Sequence, residues 1–186
     1  MHIIIVSGSS GSGKSSALNQ LEDMGFYCVD NLPVTLVESL IKHFEAAPSS
    51  TYTGLAICID IRTEDAGVTD LRDFLKGLRE KTTFELIFFD ATAQALSKRF
   101  NETRRKHPLS EDGLPLTDAL AIERIMLEPL ISAADLIIDT SEMSPYNQRE
   151  VMQQRFGKAR SGMDISIESF GFKKGAPLTA DIVLDM

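Results

Sequence analysis

Residues 8–15 read Gly-Ser-Ser-Gly-Ser-Gly-Lys-Ser, the G-x-x-x-x-G-K-[ST] spacing of a phosphate-binding, or Walker A, loop. Each residue type has a task in polyphosphate chemistry. Gly8, Gly11 and Gly13 allow a turn that side chains would obstruct, so that backbone N–H groups, including those of Ser9, Ser10 and Ser12, can curl around an anion. Lys14 carries a charge to the β- and γ-phosphates, and Ser15 offers a hydroxyl to Mg²⁺. The loop directly follows the apolar run His2-Ile3-Ile4-Ile5-Val6-Ser7, and Ser15 to Leu21 reads as a helix with Leu18 and Leu21 on one face. The phosphates would therefore also meet a helix N-terminus. A flexible Gly/Ser linker would need neither the β-branched run before it nor Lys-Ser at this offset.

Four acids end or closely follow strand-like runs: Asp30, Asp60, Asp90 and Asp139. Any one of them could be a turn former or helix cap. The acid that orders Mg²⁺ in phosphate-loop folds lies on a strand beside the loop strand, behind apolar residues. Ala56-Ile57-Cys58-Ile59-Asp60 fits well and Leu86-Ile87-Phe88-Phe89-Asp90 nearly as well. Asp60 is the preferred metal residue with Ser15, and Asp139 is expected nearer a base. One dense basic cluster, from Lys98 to Lys106, stands in an otherwise acidic chain. A solvated helix face is one account of it. Arginines on a lid over a transferred phosphoryl group are another, which makes Arg104 and Arg105, with Lys14, the catalytic candidates. Arg62 is a further candidate for phosphate or base contact, whereas His107, followed by Pro108, reads as the end of a helix. The three histidines are scattered, and neither a zinc-ligand spacing, a hydrolase triad nor a dinucleotide fingerprint is present.

The elements that must position these residues follow from hydrophobic pattern. Strand-like runs at Ile3–Val6, Phe26–Val29, Leu55–Ile61, Phe84–Phe89 and Leu136–Ile138 alternate with helical stretches at Ser15–Met24, Pro33–Phe44, Ala66–Arg79, Ala93–Lys106 and Thr117–Ala133. Alternation of this kind implies an α/β fold, a three-layer sandwich of the phosphate-loop NTPase type. The expected sheet is five-stranded and mostly parallel, in the nucleotide-kinase-like order 2-3-1-4-5, with helices on both faces. All strand C-termini then share one edge, where open α/β sheets bind ligands.

The 186 residues suffice for one substantial core and a small second unit. A formal net charge of −8 argues against broad attraction to nucleic acid or an anionic membrane. Cys28 and Cys58, the only cysteines, lie in apolar runs and read as buried free thiols of a reducing compartment. The N-terminal apolar run is too short for a signal peptide, and no segment is suited to span a bilayer, so a soluble, cytoplasmic protein is expected. Net charge changes from −9 through Gln148 to +1 from Arg149 onward. A helix over Tyr146–Phe156 gives way to a Gly/Lys/Arg-containing stretch and then two strand-like runs, Ile165–Phe172 and Asp181–Leu184. These features divide the chain into a nucleotide-binding domain, 1–158, and a linker with the beginning of a truncated second domain, 159–186.

Taken in order, Gly8 to Ser15, Cys28-Val29-Asp30-Asn31-Leu32-Pro33, Asp60-Ile61-Arg62-Thr63, Phe89-Asp90-Ala91, Thr103-Arg104-Arg105-Lys106-His107-Pro108-Leu109 and Ser169-Phe170-Gly171-Phe172-Lys173-Lys174-Gly175 resemble the successive motifs of the RapZ family of RNase adapter proteins. The likeness runs the whole length of the chain. It implies an N-terminal domain that binds ATP or GTP with Mg²⁺ and hydrolyses it weakly. Residues 8–15 match the family's triphosphate loop, and Asp60, Ile61, Arg62 and Thr63 its guanine-nucleotide-associated segment. The resemblance further implies a full-length homo-oligomer whose C-terminal domain binds small regulatory RNA, presents it to an endoribonuclease and tunes amino-sugar synthesis. Ending at Met186, the chain would lack most of that domain. Two competing readings come from the residues: a small-molecule or nucleotide kinase, for which the basic cluster would be a lid, and an RNA-binding module, which the acidity disfavours.

Overall fold

The computed structural model describes residues 2–46, 51–60, 71–110 and 113–157. Five strands, β1 (His2–Gly8), β2 (Phe26–Val29), β3 (Gly54–Cys58), β4 (Glu85–Asp90) and β5 (Leu136–Asp139), alternate with six helices: α1 (Lys14–Asp23), α2 (Val34–Ala46), α3 (Leu71–Lys81), α4 (Ala93–Thr103), α5 (Leu116–Ala133) and α6 (Pro145–Phe156). The strands form one sheet in the order β2-β3-β1-β4-β5. All four pairings are parallel, with Ile5 of β1 opposite both Ile57 of β3 and Leu86 of β4. The fold class and strand order are those expected from the sequence.

The pleat explains the three layers. Successive side chains of a strand point to opposite faces, so a run apolar at every position must be covered on both sides. Ile3, Ile5, Leu55, Ile57, Leu86 and Phe88 pack against Val37 and Ile41 of α2, Leu75 and Leu78 of α3, and Leu127 and Leu130 of α5. The alternate residues Ile4, Val6, Ala56, Cys58, Ile87 and Phe89 face Ala17, Leu18 and Leu21 of α1 and Met152 and Phe156 of α6. A small third cluster, Ala91, Leu96 and Leu120, joins α4 to α5.

One helix end differs clearly from expectation. α4 stops at Thr103 instead of reaching Lys106, because Arg104 turns left-handed at φ 52° and cannot continue the spiral. The described part of α3 begins at Leu71, and the expected residues 66–70 lie outside the described residues. The same holds for the two C-terminal strand-like runs and for Ile61, Arg62 and Thr63. No helix among the described residues is long and apolar enough to cross a membrane.

Both cysteines carry free thiols, Cys58 buried and Cys28 half-buried. Burial, the largest cause in each, pushes both thiols from an ordinary 9.0 up to about 12. Folding thus favours the neutral thiol. This contribution to stability is complete below pH ~9 and is lost as pH rises toward 12. At pH 8 the native chain should react with a thiolate-selective reagent such as Ellman's far more slowly than the denatured chain, in which both groups react at once. Rapid labelling of the native protein would contradict this burial.

Candidate functional site

The glycine loop leaves β1 at the C-terminal edge of the sheet, between its neighbours β3 and β4. Gly8 approaches β4 so closely that an added Cβ would lie 2.2 Å from the Phe89 carbonyl oxygen, and Ser9 N–H donates to that same oxygen at 3.1 Å. Gly11 and Gly13 take φ values of 84° and 100°. The outward carbonyls of the turn are each held from another element. Arg99 of α4 donates to Gly11 O at 3.1 Å, the Thr140 hydroxyl to Ser12 O at 2.9 Å, and the Gln148 side-chain amide to Gly13 O at 3.0 Å. Arg99 also donates to the Thr140 hydroxyl at 3.0 Å and to its carbonyl oxygen. Gln148 arrives there because Ser144 caps α6, accepting from Asn147 N–H at 3.1 Å, with Pro145 in the first turn.

Beyond the loop, Lys14, Ser15 and Ser16 occupy the first turn of α1, where backbone N–H groups have no acceptor within the helix and the dipole favours an anion. The Lys14 ammonium is buried inside the curl. It donates to Gly8 O at 2.5 Å and Ser9 O at 3.2 Å, and it lies 3.9 Å from the buried Asp60 carboxylate. The Ser15 side chain is exposed at the mouth. The Ser12 hydroxyl is buried without a hydrogen-bond partner. Residues Ser10 to Ser16 line one cleft of about 600 Å³, together with Arg99, Phe100, Arg105 and Lys106 and with Thr140, Met143 and Gln148.

The structure separates the four strand-end acids. Asp60 alone pairs with Lys14. Asp90 is held by Arg124, whose Nη1 donates to both carboxylate oxygens at 3.2 and 2.9 Å, and by the Ser9 hydroxyl at 3.2 Å. Asp139 accepts from the hydroxyl and N–H of Ser141 at 2.6 and 2.8 Å, which with nearby Arg99 holds its carboxyl below the usual carboxylate range. Asp139 is a turn former in this setting. Asp30 is exposed at the end of β2, which is separated from the loop strand by β3.

Of the lid candidates, Arg105 lines the cleft, whereas Arg104 is the left-handed residue that ends α4 and is not among its walls. Arg99, Thr140, Gln148 and Glu123 were not singled out from sequence although they brace the loop. Glu123 had a legible signal: it shares a helical face with the buried Leu120 and Leu127, and a lone charge on an apolar face needs a buried partner.

The donor set suits magnesium accompanying phosphates. Ser15 and Asp60 offer hard oxygens, and Mg²⁺ is normally held by one or two protein oxygens with phosphates and water supplying the rest. Among the described residues no group of three or more His, Cys, Asp or Glu forms a protein-only metal cage.

Comparison with known proteins places this geometry in a family. The RapZ-like N-terminal domain matches residues 1–160. The chain belongs to that family. It is 46% identical to a nucleotide-binding protein of Methylococcus capsulatus and 46% identical to the RNase adapter protein RapZ of Erwinia tasmaniensis, in both cases over its entire length. It spans 63% and 64% of those two relatives. Among solved structures, the RapZ-like chain shares its fold with a shikimate kinase from Bacteroides thetaiotaomicron, with a TM-score of 0.55 at 15% identity over 83% of this chain and 95% of that one. A tunicamycin resistance protein from Deinococcus radiodurans is similar at a TM-score of 0.55 and 16% identity, covering 84% and 95% of the two chains. At such identities the likeness is one of fold.

Proposed function

We propose that this chain is the regulatory nucleotide-binding domain of an RNase adapter, taking ATP or GTP with Mg²⁺ into the cleft and hydrolysing it slowly. The observation that carries the reading is the Lys14 ammonium, buried within the glycine turn and 3.9 Å from Asp60, at the N-terminus of α1. That is the arrangement a triphosphate with its magnesium requires. Lys14 and residues Gly8 to Ser15 hold the phosphates, Ser15 and Asp60 the metal and its waters, and Arg105 neutralises charge from the lid side. The assignment extends to Ile61, Arg62 and Thr63, which follow Asp60 directly in the chain, and to Arg104 in the lid. Residues 1–158 constitute the nucleotide domain and 159–186 begin the next one. A family match that stops at residue 160 agrees with this division.

In the longer protein the nucleotide state controls a following domain that binds small regulatory RNA and presents it to an endoribonuclease, adjusting amino-sugar synthesis, as the relatives named RNase adapter invite. The net charge of −8 disfavours RNA contact by this chain itself. Calorimetry with ATP, GTP and their diphosphates, with and without Mg²⁺, tests the reading. Triphosphate binding enhanced by Mg²⁺ is expected, and absence of binding to every nucleotide would end it. Asp60→Ala should lower affinity about tenfold in Mg²⁺ while changing it little in EDTA, because the carboxylate acts through the metal. An equal loss in both titrations would move Asp60 off the metal. Transfer of the γ-phosphate to a metabolite in a substrate screen would favour the kinase reading instead.

A further inference from the structure

Glu123 and His107, neither of which lines the cleft, make a buried polar contact with the phosphate loop that phosphate binding does not call for. Both oxygens of Glu123 accept from Ser10 N–H, at 3.1 and 3.0 Å, and Oε1 also accepts from the Ser10 hydroxyl at 2.6 Å. Its Oε2 lies 3.2 Å from Nε2 of His107. Leu109 N–H donates to His107 Nδ1 at 3.1 Å, so Nδ1 is the acceptor nitrogen and Nε2 carries the proton that it donates to Glu123. Glu123 is 6% and His107 2% exposed. The imidazole also packs on Phe100, with ring centroids 5.2 Å apart, and the Phe100 ring covers Gly11.

Each end of this contact matters to the cleft. Ser10 belongs to the phosphate loop, and His107 directly follows Arg104, Arg105 and Lys106, all exposed and outside any helix. A buried carboxylate is tolerated only when its oxygens are satisfied. Ser10 and His107 supply donors from two segments that share no strand or helix, so neither can leave without stranding the charge.

We propose that Glu123 and His107 are positioning residues that tether the basic lid segment to the phosphate loop, so that the loop's nucleotide state is transmitted to Arg104–Lys106. The transmission rests on the nucleotide reading above; the tether itself does not. A ligand that fixes the loop fixes the Ser10 donors, hence Glu123, hence the C-terminal end of the segment at His107. Through a shared two-state contact the coupling is reciprocal.

Limited trypsinolysis of the folded chain, with cleavage after Arg104, Arg105 and Lys106 followed by mass spectrometry, separates the two parts. Without nucleotide, His107→Leu and Glu123→Gln should raise cleavage at these sites about tenfold, through easier local opening. His107→Gln, whose side-chain amide places an N–H donor near the Nε2 position, should stay within about threefold of wild type. Wild-type rates in His107→Leu, or no rescue by His107→Gln, would overturn the tether even if nucleotide binds. With saturating ATP and Mg²⁺, cleavage should slow severalfold in wild type and His107→Gln but not in His107→Leu, whose ATP affinity should fall about tenfold. Equal protection of His107→Leu and wild type would overturn the transmission. Failure of the wild-type chain to bind any nucleotide would instead sink the function proposed above and leave the ligand-free comparison standing.

Discussion

Lys14→Ala should abolish measurable binding of ATP and GTP while the diphosphates, which the loop N–H groups also hold, are weakened less. The ammonium is the sole cation inside the curl among the described loop residues, 7% exposed and surrounded by Gly8 O, Ser9 O and Asp60. Hydrogen bonds to a charged partner are worth ~1.5–3 kcal/mol each. Losing two of them to the β- and γ-phosphates corresponds to an affinity loss of roughly 10²–10⁴-fold. The substitution also removes the ammonium that lies 3.9 Å from the buried Asp60 carboxylate. The variant should therefore melt earlier than wild type in the absence of ligand. Titration calorimetry and thermal unfolding read the two effects separately. Unchanged affinity for both triphosphates would remove Lys14 and its loop from the binding site.

Gly8→Ala should be severely damaging, its added Cβ making the shortest contact of any described glycine. Gly8 ends β1 opposite Phe89 in the register and takes φ 152°. A Cβ there would stand 2.2 Å from Phe89 O and 2.9 Å from its backbone N and C. Those are backbone atoms of a central strand, so no side-chain rotation relieves the overlap. The loop must lift away from β4, breaking the Ser9 N–H bond to Phe89 O. Overpacking together with an unfavourable dihedral costs about 3 kcal/mol. For a domain of this size that is a fall in Tm of about 6–12 °C, with loss of triphosphate binding. A Tm within about 2 °C of wild type and normal nucleotide affinity would mean that the loop is not anchored to β4 in this way.

The main lines of the fold could be read without coordinates because they rest on local, repeated pattern. Fully apolar runs such as Ile3-Ile4-Ile5-Val6 and Leu86-Ile87-Phe88-Phe89 need cover on both faces, and the helices between them provide it. The strand order is a different matter: it rests on analogy with nucleotide-kinase-like folds, since no residue of a strand names its neighbour. The early end of α4 escaped the pattern because a left-handed Arg104 looks, in sequence, like one more helix-forming residue.

Local pattern along the chain sufficed for the phosphate loop, its strand and helix, the layered α/β class and the set of acids at one sheet edge. Glycine spacing and side-chain period are properties of neighbours along the chain. The three-dimensional fold was needed to see that Asp60 meets Lys14 while Asp90 meets Arg124. It alone brought Glu123 to Ser10, 113 residues away in sequence, and Thr140 and Gln148 to the carbonyls of Ser12 and Gly13. Such bonds arise where helices on opposite faces of a sheet converge on one loop. They depend on distances through space, to which a linear pattern is blind.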